Sequence, residues 1–373
     1  MKLAVFLTYK YSMTEWNNAG ILYRELDLYD RLQEKGVETC FISYGGGYSE
    51  TQYQKTKPFL VFLKPDDISN WRYSLQSPVI HRKYLVAADV IKTHQNQGSI
   101  SGVIAKLFTG KPLIARCGYL KSVFAKLEGE SLKNRFKIWL EEAISFRVAD
   151  IVCVSSQEQA DIAIRKYLLR RSKVRVCPNG IDTDIFKPEK KATEKYTICF
   201  VGRFSWKKGP DHLLEAIKGI ENVSLVMIGD GPLLEQSKAY AVENDLDVEF
   251  VGRIANEAVP EYLNASDLYI LPSHHEGSPK TLLEAMSCAL PVISTDGFGV
   301  NEVFSDGVEG KKVKFGDVEG LREAILWMRE HTDEAREMGK RGRQRVIEYY
   351  SIEKALEREL SILEELTGEK LRA

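Results

Sequence analysis

Short apolar runs rich in Val, Ile and Leu alternate with segments of helical period along most of the chain, and this alternation constrains the fold more than any other feature. In the first half the runs are residues 3–8, 37–43, 90–93, 112–115 and 151–154, with helical stretches at about 21–34, 101–107 and 132–148 between them. Within the last of these helices Leu132, Phe136, Trp139, Leu140, Ala143 and Ile144 recur at the spacing of one helix face. In the second half, runs at 197–201, 224–228, 248–251, 268–271, 291–294 and 311–313 alternate with helices in the same way. A strand that is apolar on both sides must be covered on both sides, and a helix between two such strands makes them parallel. The pattern occurs twice, so the expected fold class is α/β, with two Rossmann-like doubly wound domains.

The stretch Ile185-Phe186-Lys187-Pro188-Glu189-Lys190-Lys191-Ala192-Thr193-Glu194-Lys195 is charged, carries a proline and separates the two strand-rich regions, as an exposed connection does. It divides the chain into domains at 1–185 and 186–350. Beyond them, residues 351–366 read as an amphipathic helix with Leu356, Leu360, Leu363 and Leu366 on one stripe that has to be buried.

Composition narrows the function classes. A content of 44% hydrophobic and 10% aromatic residues over 373 positions excludes a disordered or fibrous chain. No apolar run approaches the roughly 18–20 residues that span a bilayer, and Met1-Lys2 leads directly into a strand-like run too short for a signal-peptide core. Cys40, Cys117, Cys153, Cys177, Cys199 and Cys288 are scattered without a Cys-x-x-Cys pair, so they read as reduced small residues. These features predict a cytoplasmic globular protein. The net charge of −1 conceals an asymmetry: residues 1–185 hold 27 Lys+Arg against 19 Asp+Glu, and the remainder 25 against 34. The basic residues of the first half are dispersed and accompany no nucleic-acid motif, so no nucleic-acid partner is expected.

In open parallel sheets, ligands bind beyond the carboxyl ends of the strands. After the strand at 197–201 comes Gly202-Arg203-Phe204-Ser205-Trp206-Lys207-Lys208-Gly209-Pro210. Arg203 and Lys208 supply cations beside a helix that starts at Pro210, a setting for phosphate oxygens; the plainer alternative is a solvated basic turn. After the strand at 268–271 comes Pro272-Ser273-His274-His275-Glu276-Gly277-Ser278-Pro279-Lys280-Thr281-Leu282-Leu283-Glu284. The Gly277 and Ser278 amides lie at the positive end of the following helix, while Glu276 and Glu284 are eight positions apart. Ionised carboxylates accept hydrogen bonds from vicinal hydroxyls, so phosphate plus polyol, the two parts of a nucleotide sugar, suits this set. The plainer alternative makes Glu276 a helix-dipole partner and Glu284 an exposed helix residue.

The segment HEGSPKTLLEAMSCALPVIST, with its Glu276-x7-Glu284 pair, resembles the donor-site signature of glycosyltransferase family 4, a retaining group with the GT-B fold. The supporting motifs stand in the family's order: PNGIDTDIF at 178–186, VGRFSWKKG at 201–209, VMIGDGP at 226–232, FVGRI at 250–254 and NEVFSDGVEG at 301–310. The resemblance covers most of residues 148–315 and continues more weakly towards the N-terminus. It implies two Rossmann-like domains facing a central cleft, the first for the acceptor and the second for the nucleotide sugar, with the tail at 351–373 packing back on the first. It implies further that Arg203 and Lys208 neutralise the donor diphosphate, Glu276 meets the sugar hydroxyls and Glu284 holds the ribose. Ile254 takes the position whose backbone meets the base, and Gly202, Gly277, Ser278, Pro279, Lys280, Thr281 and Leu282 line the phosphates and sugar. Retention in this group is thought to proceed by same-face attack, with the departing phosphate taking the acceptor's proton, so no protein nucleophile is assigned.

Two positions depart from the family pattern. The loop after the first strand carries only Gly20 where relatives often have a Gly-Gly pair, and Arg116-Cys117-Gly118 stands where His-Gly is common. Gly20, the strand-end His94 and Cys117 are the acceptor-side candidates. His274-His275 lacks the spacing of a helical zinc site. Asp182-Thr183-Asp184 resembles the manganese-binding pair of the other glycosyltransferase fold, but it follows Asn179-Gly180 in a connecting turn. No metal and no cofactor beyond the nucleotide-sugar substrate is therefore expected. The basic amphipathic stretch at 121–147 fits either a helix packed on the sheet or peripheral contact with an anionic membrane. The expected activity is hexosyl transfer from a nucleoside diphosphate sugar to a glycan, lipid-linked or small-molecule acceptor. Its competitors are a nucleotide-sugar epimerase of the same fold and a two-domain sugar-binding protein.

Overall fold

The structure is a computed structural model that describes residues 1–45, 59–189 and 195–371. Residues 190–194 of the predicted connection and the last two of the tail lie outside the described residues. The chain forms two compact units, Met1–Pro178 together with Ala355–Ala373, and Asn179–Lys354.

The first unit runs β1 (Lys2–Phe6), α1 (Met13–Asn18), α2 (Leu22–Glu34), β2 (Glu38–Ile42), β3 (Leu60–Phe62), α3 (Asn70–Ile80), α4 (Arg82–Ala87), β4 (Val90–Thr93), α5 (Ser99–Thr109), β5 (Leu113–Cys117), α6 (Lys121–Phe124), α7 (Leu132–Val148), β6 (Ile151–Val154), α8 (Gln157–Tyr167) and β7 (Val174–Val176). Its strands form one parallel sheet in the order β3-β2-β1-β4-β5-β6-β7, with Phe6 opposite Ile42 on one side and Thr93 on the other. The order reverses between β1 and β4, so the loops leaving these two strands diverge and open a crevice. Phe6, Tyr73, Phe146 and Tyr167 fill one face of the sheet. Leu3, Tyr29 and Phe41 fill the other, together with Ile362 and Leu363 of the C-terminal helix.

The second unit runs β8 (Tyr196–Val201), α9 (Pro210–Ile217), β9 (Val223–Ile228), α10 (Leu234–Glu243), β10 (Val248–Gly252), α11 (Val259–Asn264), β11 (Leu268–Leu271), α12 (Lys280–Ser287), β12 (Val292–Thr295), β13 (Lys311–Val313), α13 (Val318–Glu330) and α14 (Thr332–Arg345). The C-terminal helix α15 (Ile352–Thr367) follows. The parallel sheet has the order β10-β9-β8-β11-β12-β13, with its reversal between β8 and β11. The unit begins at Asn179 rather than at the predicted 186, because Ile181 and Phe186 are buried in its core. Ile181 also exchanges backbone hydrogen bonds with Tyr350 (2.8 Å) and Ile352 (2.9 Å). Among the described residues no helix is long and apolar enough to cross a membrane.

Candidate functional site

The two loops singled out in the sequence leave β8 and β11, the neighbouring strands at which the order of the second sheet reverses. The His274 backbone N–H joins them by donating to Lys207 O (2.7 Å), and three side chains hold the β11 loop in place. The Tyr269 hydroxyl, fully buried on β11, donates to Thr281 Oγ1 in the first turn of α12 (2.8 Å). Behind the loop, Ser294 Oγ donates to the Leu271 carbonyl (2.8 Å) and Thr295 Oγ1 to that of Ser273. Gly209, at φ +58°, begins α9 so close to β11 that a Cβ there would come within 2.5 Å of the Pro272 carbonyl oxygen. Only glycine meets both requirements without strain.

This closeness brings the predicted cation and carboxylate together. Lys208 Nζ lies 2.5 Å from Glu276 Oε1, with both side chains largely buried. Arg203, on the same loop, is exposed, and Gly202 holds the loop by donating its N–H to Ile228 O (2.9 Å). The Glu276 N–H donates to Phe298 O (2.9 Å), and Gly299, at φ +77°, leaves room for the Glu276 carbonyl, which a Cβ would approach to 2.0 Å. The position of Glu276 is thus fixed by backbone on both sides.

Next to Glu276, α12 begins at Lys280 with Pro279 as its N-cap and no side-chain cap. Its first-turn amides, from Lys280 to Leu282, carry the positive end of the helix dipole, and Gly277 and Ser278 precede them in the loop. Glu284 is 1% exposed, which removes the alternative of an ordinary surface residue. Its Oε1 accepts from Asn256 Nδ2 (3.0 Å). Asn256 belongs to the turn following Ile254, so one hydrogen bond joins the predicted base-facing segment to the predicted ribose carboxylate. Sequence reading missed Asn256, whose only signal is its place two residues after Ile254.

The histidines preceding Glu276 form part of an aromatic wall. Their Nδ1 atoms are 2.8 Å apart, so one ring donates to the other. His274 packs against Trp206 (5.5 Å between centroids) and Phe315 (4.6 Å), and its N–H donates to Lys207 O (2.7 Å). Burial, and then the Lys207 charge, hold the His274 imidazole below its ordinary pKa. Asp182 Oδ1 accepts from the N–H groups of Asp184 and Ile185, both at 3.0 Å, which is the geometry of a turn. Among the described residues no group of three or more His, Cys, Asp or Glu side chains has the arrangement of a metal site.

In the first unit, the β1 and β4 loops meet through Tyr9 N–H and Gln97 O (3.0 Å). His94 leaves the end of β4 with its ring against Trp16 (4.8 Å) and Nε2 3.4 Å from Glu25 Oε2. Gly20, at φ +68°, lies four positions beyond Trp16, where its N–H donates to Asn17 O (2.9 Å). Gly20 and His94 therefore flank the same helix, α1. Cys117 does not join them. Its side chain is fully buried in the core on the other face of the sheet, its Sγ donates to Tyr119 O (3.3 Å), and burial pushes its thiol pKa well up. This corrects the acceptor-side assignment of Cys117. It is a core residue because alternation along β5 turns it away from the face carrying Ile114.

Comparison with known proteins accords with this geometry. The model for Glycosyltransferase Family 4 matches residues 25–185, and that for Glycosyl transferases group 1 matches residues 181–345. A UDP-Gal:alpha-D-GlcNAc-diphosphoundecaprenol alpha-1,3-galactosyltransferase of Escherichia coli is 28% identical over 256 residues, 64% of this chain and 65% of its own length. An alpha-maltose-1-phosphate synthase of Mycolicibacterium smegmatis is 28% identical over 312 residues, 76% of this chain and 80% of its own. The crystal structure of the Anabaena protein HepE with UDP and glucose superposes with a TM-score of 0.79 at 18% identity, covering 98% of this chain and 100% of that one, which establishes a shared fold.

Proposed function

The chain belongs to the family 4 glycosyltransferases, and on that premise we propose that it transfers a hexosyl group, with retention and without a metal ion, from a UDP-type sugar donor to a glycan or lipid-linked acceptor. The observation that carries the reading is the convergence of Lys208 and Glu276 beside the N-terminus of α12. Negative charge grows on the leaving diphosphate as the glycosidic bond breaks. Arg203, Lys208 and the first-turn amides of α12 are the groups that stabilise it. Glu276 accepts hydrogen bonds from the sugar hydroxyls, Glu284 from those of the ribose, and the chain at Ile254 faces the base. The acceptor oxygen attacks the anomeric carbon from the face the diphosphate leaves, and its proton passes to the departing phosphate. The two cations perform the charge neutralisation that a divalent ion performs elsewhere, and the turn formed by Asp182 engages the carboxylate a metal would use.

The UDP in the HepE structure and the UDP-Gal in the name of the Escherichia coli relative support the donor class. That relative's diphosphoundecaprenol acceptor and the basic first half of this chain support a lipid-linked acceptor and peripheral contact with an anionic membrane. The test is incubation with a panel of UDP-hexoses and polyprenol-linked or glycan acceptors. Expected are free UDP, a product of unchanged anomeric configuration by NMR, and full activity in chelator. An isomerised nucleotide sugar, an inverted product or strict manganese dependence would each overturn the corresponding part of this reading.

A further inference from the structure

We infer that the face of the first unit built from α3, α4, α5 and α7 binds anionic phospholipid bilayers by inserting apolar side chains; this rests on the membrane reading above and identifies the surface responsible. On α7 the residues Leu132, Phe136, Leu140 and Ile144 repeat every four positions, and all are exposed, Leu132 at 78% and Phe136 at 61%. On α3, Trp71, Leu75 and Val79 repeat the same interval and are exposed too, Trp71 at 55%. At the end of α5, Leu107 is 73% exposed beside Phe108.

These patches are neighbours on one surface. Lys137 Nζ of α7 lies 6.0 Å from the centre of the Trp71 ring of α3. Ser101 Oγ of α5 donates to Ser74 O of α3 (2.8 Å), and the Gly98 N–H at the start of α5 donates to Glu141 Oε1 of α7 (3.0 Å). The Arg82 guanidinium of α4 sits 5.1 Å from the centre of the Phe108 ring. A globular surface rarely exposes a contiguous apolar area beyond a few hundred Å² unless something covers it.

Charge selects the cover. Residues 70–87, spanning α3 and α4, contain no Asp or Glu, and neither do residues 132–140 of α7. The acids that follow point inward: Glu142 is 0% exposed and Glu141 accepts from Gly98. Lys133 and Lys137 on α7 and Arg82 and Lys83 on α4 remain exposed at the edges of the apolar rows. A second copy of the chain would set these cations against identical cations. An anionic leaflet instead neutralises them while accepting the apolar rows.

The test is flotation of the full chain with phosphatidylcholine vesicles, with and without phosphatidylglycerol. Wild type should float with the anionic vesicles, and added salt should weaken that binding without abolishing it. Phe136→Glu/Leu140→Glu and Trp71→Glu/Val79→Glu should each lower the bound fraction about tenfold or more, with thermal melting and UDP affinity unchanged. If wild type floats and both variants float equally well, this surface is wrong while the membrane reading stands. If wild type fails to float at low salt, the membrane reading falls and this surface with it. A dimer dissolved by the same substitutions, with no flotation, would identify the face as an interface between copies and overturn the proposal.

Discussion

Lys208 and Glu276, 68 positions apart in the chain, form an ion pair at the point where the order of the second sheet reverses. Each therefore sets the electrostatic environment of the other. Replacing Arg203 or Lys208 by Ala should lower turnover on the order of 10²-fold or more, since either loss removes a cation from the leaving diphosphate. Lys208→Ala additionally leaves the largely buried Glu276 without its partner. The effects of Lys208→Ala and Glu276→Ala on turnover should consequently be non-additive, with a coupling of about 0.5–3 kcal/mol in a double-mutant cycle. Strict additivity in steady-state kinetics would mean that the pair does not act as a unit.

The two glutamates should separate by what their loss affects. A carboxylate that hydrogen-bonds to hydroxyls contributes roughly 1.5–3 kcal/mol, so Glu284→Ala should weaken UDP binding by about 10- to 150-fold in calorimetry. Asn256→Ala, which removes the partner of Glu284 Oε1, should move UDP affinity in the same direction and by less. Glu276→Ala should leave UDP affinity nearly intact and lower turnover, because its contact strengthens as the sugar distorts towards the transition state. The reverse assignment of the two effects would require the donor to lie the other way round.

The six strands of the second unit were all legible, five of them as apolar runs of four to six residues and β13, Lys311–Val313, only through its place in the alternation with helices. In the first unit β3 and β7, at three residues each, were too short for periodicity to register. Helix α1 was missed for the same reason, although its start was written in the sequence. Ser12 accepts from the Glu15 N–H (3.1 Å), the spacing of a capping box, and six residues give no apolar period to confirm it. The Glu276 and Glu284 positions were legible because strand-end loops concentrate binding groups. The burial of Glu284 by Asn256, the His274–His275 pair and the Trp16–His94 contact depend on which loops meet across a sheet, and spacing along one chain carries no trace of that. Cys117 was misread for a related reason, since a strand-end residue faces the ligand or the core according to a register that only the pairing fixes.

The first unit should lose stability in mild acid through His81. Its Nε2 is hydrogen-bonded to the Tyr73 hydroxyl (2.9 Å), its side chain is buried, and burial lowers its pKa from 6.5 to about 4. The folded protein therefore resists protonation that the unfolded chain accepts. That stabilisation is complete above the unfolded value and drains away as pH falls from 6.5 towards 4, at about 1.4 kcal/mol per pH unit. Urea unfolding at pH 7 and pH 5 should differ by roughly 2 kcal/mol in wild type and by clearly less in His81→Gln. Equal pH dependence in the two proteins would assign the acid sensitivity to other groups.

The C-terminal helix should depend on a buried charge pair. Glu359 of α15 reaches Lys92 on β4, with side chains 7% and 1% exposed, and the Tyr29 ring lies 5.4 Å from the ammonium. Lys92 directly precedes Thr93 and His94, so the helix is pinned at the end of β4 that carries His94. Removing either partner strands an uncompensated charge in the core. Lys92→Met or Glu359→Leu alone should cost about 3–5 kcal/mol, whereas the two together should recover most of that loss, because well-packed apolar side chains replace a buried pair at little net cost. Urea denaturation of the three variants decides the matter. A double variant as unstable as the sum of its singles would show that the pair's contribution is packing around α15 rather than charge.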